Sequence, residues 1–184
     1  MRRKLTYQEI FSKRPALSEL KTMDRVPIYA LVENIRSMHN VGSIFRTSDG
    51  VRLTRLYLTG YTARPPRKEI DKTALGATDS VPWEYHKDPL PVISELKSKG
   101  IRIVAVEHTS DSLDYARLSA SFPVCLVMGN EVDGVSEEIV KKADETIEIP
   151  MLGLKQSLNV SVAFGIVVYH LLAQYRSLST KTGF

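Results

Sequence analysis

The chain contains 184 residues, of which 43% are hydrophobic and 25% are charged, and it carries a net charge of +4. These values predict one folded domain that is large enough to bury a substantial core. The cysteine count excludes a fold that depends on disulfide bonds within the chain, because Cys125 is the one cysteine. It lies in an apolar segment typical of a core.

The positive charge is concentrated near the N-terminus. Residues 1–25 contain seven basic and three acidic residues, and the basic and acidic residues of the rest of the chain cancel. A basic arm suits an RNA backbone, although a solvated helix that happens to be basic explains it equally well. No apolar segment follows the first charges, and polar residues interrupt the apolar C-terminal helix. We therefore expect a cytoplasmic protein without a membrane-spanning segment.

Strand-length and helix-length apolar segments alternate along the chain. A short helix at Thr6–Lys13 is predicted to turn Tyr7, Ile10 and Phe11 inward. The predicted strands are Val26–Val32, Leu53–Thr59, Ile101–Val106, Pro123–Met128 and Thr146–Ile149. The other predicted helices are Asn40–Gly50, Asp88–Lys99, Ser136–Ala143 and a long one from Val160. This spacing predicts an α/β fold with a mostly parallel sheet flanked by helices.

The long C-terminal helix has more apolar faces than one sheet can cover. Apolar residues recur at helical spacing from Val160 to Tyr175, and Val162, Ile166 and Tyr169 add apolar surface on other faces. A second copy of the chain packed on this helix is one explanation. A central helix in the core of a monomer is the other.

Three polar loops follow predicted strands, at residues 34–42, 129–135 and 150–157. Ligands of parallel α/β folds bind beyond the carboxyl ends of strands, so these loops predict one composite site. The sequence contains no glycine-rich dinucleotide fingerprint, no P-loop and no nucleophile elbow, and its four histidines lack metal-ligand spacing. Individually, the polar residues have structural explanations. Arg46 could pair with Asp49, Glu33 or Glu131, and Ser157 could cap the last helix.

Together the three loops match a family pattern. Asn40–Thr47 (NVGSIFRT) resembles the first motif of the SpoU, or TrmH-like, class of SPOUT RNA methyltransferases. Val127–Val135 (VMGNEVDGV) resembles the second motif, and Ile149–Ala163 (IPMLGLKQSLNVSVA) resembles the third. The resemblance spans roughly residues 27 to 175, and three motifs in the same order are more specific than any one of them.

The resemblance implies a fold and a reaction. The implied fold is a SPOUT domain with a deep C-terminal trefoil knot, and the implied assembly is a homodimer through the C-terminal helix. The implied reaction transfers a methyl group from S-adenosyl-L-methionine to a ribose 2′-hydroxyl of RNA, with no metal. The implied catalytic residues are Asn40, Arg46, Glu131, Ser157 and Asn159. The implied cofactor cradle is the end of the strand Ile101–Val106 with Gly129, Asn130, Ile149, Met151, Ser157 and Leu158.

Family proposals give the equivalent of Arg46 the role of base. Because arginine stays protonated at its normal pKa, it is a poor general base, and we favour a role in positioning the phosphate and stabilising the alkoxide.

The domain organisation predicted for this sequence is a basic N-terminal arm or helix, residues 1–25, followed by a single methyltransferase domain, residues 26–184. Contacts with RNA are expected from Arg2, Arg3 and Lys4 in the arm and from Arg64, Arg67 and Lys68 in a long loop after the second strand. Because no separate RNA-reading domain precedes the first strand, recognition of folded tRNA is favoured over a sequence code, and ribosomal RNA remains an alternative. A non-catalytic RNA-binding module on the same fold is the alternative function.

Overall fold

The structure is a computed structural model that describes residues 2–181. Residues 182–184, the end of the predicted domain 26–184, lie outside the described residues. The helices are α1 (Tyr7–Phe11), α2 (Leu17–Leu20), α3 (Met38–Gly50), α4 (Lys68–Ala74), α5 (Ala77–Ser80), α6 (Pro89–Ser98), α7 (Glu137–Val140) and α8 (Val160–Lys181). The strands are β1 (Val26–Glu33), β2 (Leu53–Thr59), β3 (Trp83–His86), β4 (Arg102–Val106), β5 (Leu113–Asp114), β6 (Val124–Met128) and β7 (Glu145–Glu148), and a 3-10 helix spans Tyr115–Arg117.

The strands of the described chain form one sheet in the order β3-β2-β1-β6-β4-β7-β5. Every pairing between neighbours is parallel. The central strands are continuous apolar segments, as expected where both faces of a parallel sheet are covered, and β6 is buried at every position. This order places the carboxyl ends of β1, β6, β4 and β7 side by side, so the loops that follow them meet at one edge.

Helices cover both faces of the sheet. On one face α3, α4, α5 and α8 contribute to the larger core cluster, in which Phe45 and Phe164 are fully buried. On the other face α6 and α7 complete a smaller cluster through residues such as Ile93 and Ile139. The result is the predicted α/β architecture. Each helix of these layers removes apolar surface of the sheet from water, which stabilises the fold.

The five predicted strands are confirmed as β1, β2, β4, β6 and β7, with shifts of at most one residue at their ends. Helix α3 begins at Met38 rather than at Asn40, because the Ser37 hydroxyl accepts a hydrogen bond from the Asn40 N–H and caps the helix two residues earlier. Helix α7 ends at Val140, before the predicted end at Ala143.

Helix α4 was not predicted, and it starts inside the segment expected to be a loop. Only Ile70 and Ala74 are buried in it, which is too few for a clear helical pattern. Its close contact with α3 depends on Gly42, where a Cβ would lie 2.0 Å from the Thr73 hydroxyl and 2.3 Å from the Ile70 carbonyl. The long loop therefore ends at Arg67, and α4 continues the surface.

The predicted orientation of the first helix is wrong. Tyr7 and Phe11 are 77% and 60% exposed, and α1 contains no buried residue. The two rings stack on each other at 5.8 Å rather than on the sheet. A helix of five residues presents too little apolar surface to be anchored against the domain, so its aromatic residues remain at the surface.

Candidate active site

The Glu131 carboxylate joins the loop after β6 to the loop after β1. It accepts hydrogen bonds from the N–H of Arg36 at 3.0 Å, the N–H of Ser37 at 3.2 Å and the Asn40 side-chain amide at 2.9 Å. Although partial burial raises the pKa of the Glu131 carboxyl, these donors outweigh burial and hold that pKa below its ordinary value. Glu131 is therefore a charged anchor for the start of α3.

Asn40 extends this connection to the third loop. Its side-chain oxygen accepts a hydrogen bond from the Asn159 amide at 3.0 Å. The Asn159 oxygen accepts from the Ser161 N–H at 2.9 Å, so Asn159 rather than Ser157 caps α8. The structure thus brings three of the five predicted catalytic residues into one continuous network, Glu131–Asn40–Asn159, that spans all three motif loops.

Arg46 lies on the exposed side of α3, six residues after Asn40. The ion pairs considered from the sequence do not form within the described residues. The Asp49 carboxylate accepts from the Ser80 hydroxyl, Glu33 accepts from the Ser136 N–H, and Glu131 is bound as described above. The Arg46 guanidinium therefore faces solvent without a carboxylate partner in residues 2–181, which leaves it available to an anionic ligand.

A cavity of about 270 Å³ lies beside the network, beyond the carboxyl ends of β4, β6 and β7. Five of the six predicted cradle residues line it: Gly129, Asn130, Ile149, Ser157 and Leu158. The sixth, Met151, is described by the structure but is not part of this lining. Ser157, also predicted to be catalytic, is exposed and lies in the wall of the cavity.

A tight backbone turn forms the floor of the cavity. The N–H groups and carbonyls of Asn130 and Gly134 exchange two hydrogen bonds of 2.9 and 3.0 Å. Gly129 packs directly on this turn, and a Cβ there would lie 2.1 Å from the Gly134 carbonyl carbon and from the Val135 nitrogen. Only glycine fits this position, so a ligand in the cavity meets bare backbone at Gly129.

Two strand-end carboxylates that were not predicted hold the same turn. Glu107, directly after β4, accepts from the Val135 N–H at 2.7 Å. Glu33, the buried last residue of β1, accepts from the Ser136 N–H at 2.9 Å. A carboxylate at the end of an apolar strand was the available sequence signal for both residues. They lie at the ends of β1 and β4, the two strands that flank β6, and so fix the second motif loop from both sides.

The Asn130 side chain is fully engaged within the protein. Its amide donates to the Asn34 carbonyl at 2.7 Å and to the Tyr61 hydroxyl at 2.6 Å, and its oxygen accepts from the N–H groups of Val132 and Asp133. An asparagine side chain has two N–H donors and two acceptor positions, and all four are used here. Asn130 therefore borders the cavity but has only backbone groups left for a ligand.

His108 is a further residue of the cavity wall that the sequence did not single out. One ring nitrogen lies 3.1 Å from a Glu148 carboxylate oxygen and the other lies 3.1 Å from the Gln156 carbonyl oxygen. Both neighbours can only accept, so both contacts are hydrogen bonds only when the ring is protonated. The hydrogen bond with Glu148 accordingly raises the pKa of His108. The ring links the loop after β4 to the loop after β7.

The predicted RNA contacts fall into two separate groups. Arg64 lies after β2, where its guanidinium stacks over the Tyr85 ring at 4.1 Å, and Arg67 and Lys68 follow at the exposed start of α4. Arg2, Arg3 and Lys4 are exposed in the arm, and Arg3 pairs with Glu9 of α1. No hydrogen bond or ion pair among the described residues joins the arm to the cavity loops.

Residues 2–181 contain no cluster of three or more His, Cys, Asp or Glu side chains arranged to bind a metal ion. None of the helices in that part of the chain combines the length and the apolar character that crossing a bilayer requires.

Comparison with known proteins identifies relatives of this chain. The sequence profile of the SpoU rRNA methylase family matches residues 27–169. A tRNA (guanosine(18)-2′-O)-methyltransferase of Aquifex aeolicus is 35% identical over 166 residues, which cover 90% of this chain and 78% of that protein.

Two solved structures are similar in fold. The crystal structure of the A. aeolicus TrmH/SpoU tRNA modifying enzyme matches with a TM-score of 0.81 at 33% identity, covering 89% of this chain and 84% of that one. The SpoU methyltransferase AviRb of Streptomyces viridochromogenes, in complex with the cofactor AdoMet, matches with a TM-score of 0.76 at 25% identity. That match covers 89% of this chain and 63% of the AviRb chain.

Proposed function

The chain belongs to the SpoU rRNA methylase family, and we propose that it methylates a ribose 2′-hydroxyl of tRNA, with S-adenosylmethionine as the methyl donor. The observation that carries this proposal is the Glu131–Asn40–Asn159 network beside the cavity. It joins the three loops that form the predicted site and leaves Arg46 and Ser157 exposed. An RNA 2′-O-methyltransferase needs such a site, with a pocket for the donor next to groups that orient a ribose.

The cavity has the features that S-adenosylmethionine requires. Its lining includes four acidic residues, Glu107, Glu131, Asp133 and Glu148, and their negative charge suits the positively charged sulfonium of the cofactor. The floor at Gly129 offers backbone groups without a side chain in the way. We propose that Gly129, Ile149, Ser157 and Leu158 hold the cofactor, with Asn130 contributing through its backbone alone.

When bound, the cofactor supplies an electrophilic methyl group. Methyl transfer would form a bond between that carbon and the ribose 2′-oxygen, break the carbon–sulfur bond and release the hydroxyl proton to solvent. Arg46 would bind the phosphate next to the ribose and stabilise the negative charge that develops on the oxygen. Asn40, Asn159 and Ser157 would orient the ribose, and Glu131 would hold Asn40 in place.

We also propose a homodimer through α8. Leu152 and Leu154, in the loop before this helix, are 100% and 95% exposed, and Val162 and Tyr169 on the helix are each half exposed. Such apolar surface next to a site suggests a second subunit that covers it. The partner would complete the site on the side of the loop 149–159.

The proposed trefoil knot has support in the chain path. Strand β7 lies beyond β4, whereas α8, which follows it, packs against α3, β1 and β6. The connecting segment 149–159 therefore crosses the carboxyl ends of β4 and β6. The knot would result if this segment passes through a loop formed by the earlier chain.

The substrate surface in this proposal consists of the basic arm, residues 1–25, and the loop from Tyr61 to Arg67, next to a single methyltransferase domain. The positive charge of both segments suits the phosphates of folded tRNA. A cytoplasmic location, where tRNA is found, is part of the same proposal.

Calorimetric titration with S-adenosylmethionine, together with a methyl-transfer assay on total tRNA, tests the proposed function. Arg46→Ala should lower methyl transfer at least about 100-fold while changing cofactor affinity less than twofold. Arg117→Ala, an exposed arginine beside the edge strand β5, is the matched control and should keep wild-type activity. Wild-type protein that binds RNA but not S-adenosylmethionine would instead identify a non-catalytic RNA-binding module.

A further inference from the structure

Tyr61 presents an exposed aromatic ring at the rim of the candidate active site. The residue is 56% exposed, yet its hydroxyl accepts a hydrogen bond from the Asn130 amide at 2.6 Å. Asn130 borders the cavity and directly precedes Glu131, the anchor of the network. The ring therefore lies beside the cavity, on the same loop that carries Arg64.

The backbone under this ring is held firmly. The Tyr61 N–H donates to the Asn34 side-chain oxygen at 3.0 Å. Gly60, with a φ of +66°, packs so closely that a Cβ there would lie 1.9 Å from the same Asn34 oxygen. Tyr61 is thus fixed at its backbone and at its hydroxyl, which orders the ring although more than half of the residue is exposed to solvent.

Arg64, three residues later, is also ordered in advance. Its guanidinium stacks over the Tyr85 ring, and the Tyr85 hydroxyl donates to the Gly60 carbonyl at 2.8 Å. One short loop therefore presents a fixed aromatic ring and a fixed cation. Arg67 and Lys68 follow directly and make this surface basic.

These features match the requirements for binding an unpaired nucleobase. Unstacked bases of RNA pack on aromatic side chains, and neighbouring cations bind the phosphates. A ring with only a packing function would be covered by the protein, whereas this ring is ordered and open. The basic residues beside it favour a polyanion over an apolar protein segment.

We propose that Tyr61 is the stacking platform for an unpaired base of the RNA substrate, at or next to the methylated nucleotide. The inference rests on the proposed function and adds to it the residue that receives a base. Arg64 contacts the phosphate of the same or the next nucleotide. Stacking of this kind accepts any base, so Tyr61 contributes affinity and position rather than base identity.

Three variants separate stacking from positioning. Tyr61→Phe keeps the ring and removes the hydroxyl, Tyr61→Leu keeps apolar bulk without an aromatic face, and Tyr61→Ala removes both. Affinity for total tRNA is measured by filter binding and affinity for S-adenosylmethionine by calorimetry. We expect Tyr61→Ala and Tyr61→Leu to bind tRNA about 5- to 100-fold more weakly, because stacking contributes about 1–3 kcal/mol per base. Tyr61→Phe should stay within about threefold of wild type, and all three should keep wild-type cofactor affinity.

Each other outcome overturns the proposal. Equal losses of tRNA affinity in Tyr61→Phe and Tyr61→Ala would show that the hydroxyl bond to Asn130 matters and stacking does not. Wild-type tRNA affinity in Tyr61→Leu would remove the role of the ring. Loss of cofactor affinity in Tyr61→Phe would make Tyr61 a support of the cavity. Failure of the wild-type protein to bind S-adenosylmethionine would refute the proposed function separately, since that measurement does not involve Tyr61.

Discussion

Replacing Glu131 with glutamine tests the network that joins the three loops. The substitution keeps the size of the side chain but removes its charge, and it turns one acceptor oxygen into an N–H₂ group. That group would oppose the N–H of Arg36, or those of Ser37 and Asn40, all of which now donate to the carboxylate. Hydrogen bonds to charged groups contribute about 1.5–3 kcal/mol when they are buried. Since Glu131 is exposed on one side, we expect a smaller loss of about 1 kcal/mol in the free energy of unfolding.

The effect on catalysis should be larger than the effect on stability. Without its anchor, Asn40 no longer holds a fixed position between Glu131 and Asn159, and misplacement of an orienting group by about 1 Å can lower a rate about 100-fold. Urea unfolding and methyl transfer at saturating S-adenosylmethionine measure the two effects. The matched control is Glu137→Gln on α7, which removes a carboxylate that pairs with Lys141 away from the network. Methyl transfer by Glu131→Gln equal to that of Glu137→Gln would refute this reasoning.

Three further predictions concern the turn, the core and pH. Gly129→Ala should lower the free energy of unfolding by about 1–3 kcal/mol and weaken cofactor binding, because the added Cβ would overlap the backbone of the turn. Gly153→Ala is the control, since nothing lies within 4 Å of a Cβ there, and it should match wild type in urea unfolding and calorimetry. Ser48→Ala removes a buried hydroxyl that has no hydrogen-bond partner in the described residues, so it should raise the free energy of unfolding by about 1 kcal/mol and raise the urea midpoint. A lower midpoint would contradict this. The hydrogen bond with Glu148 raises the pKa of His108 above its ordinary value of about 6.5. The stability that protonated His108 contributes is therefore complete below about pH 6.5 and is lost as the pH rises through the raised pKa. The stability difference between wild type and His108→Gln should therefore shrink from pH 5.5 to pH 9, and a constant difference would argue against the protonated bridge.

The sheet could be predicted from the sequence because its central strands are unusually clear. Segments such as Val124–Met128 are continuous apolar runs bounded by turn residues, which is the pattern of a strand buried on both faces. The edge strand β3 and the two-residue strand β5 were missed, because short or half-buried strands carry no such pattern. Strand order also lay beyond the sequence, since periodicity does not specify which strands pair.

The candidate site was predictable as a set of loops but not as a set of contacts. Asn40, Glu131 and Asn159 were predicted from their positions in the three motifs. Their mutual hydrogen bonds depend on how the loops after β1, β6 and β7 meet in three dimensions. Glu107 and His108 follow β4 outside any motif. A carboxylate at the end of an apolar strand was the one sequence signal for Glu107, and His108 had none. The exposure of Tyr7 and Phe11 was also unpredictable, because their apolar spacing fits an inward helix.

The most direct test of the central claim is to identify the atom that receives the methyl group. The protein is incubated with total tRNA and S-adenosylmethionine labelled in its methyl group, and the RNA is digested to nucleosides and separated. The account predicts that the label is found only in 2′-O-methylated nucleosides and that Arg46→Ala lowers it at least about 100-fold. Label on a nucleobase, or no transfer by protein that binds both tRNA and S-adenosylmethionine, would contradict the account.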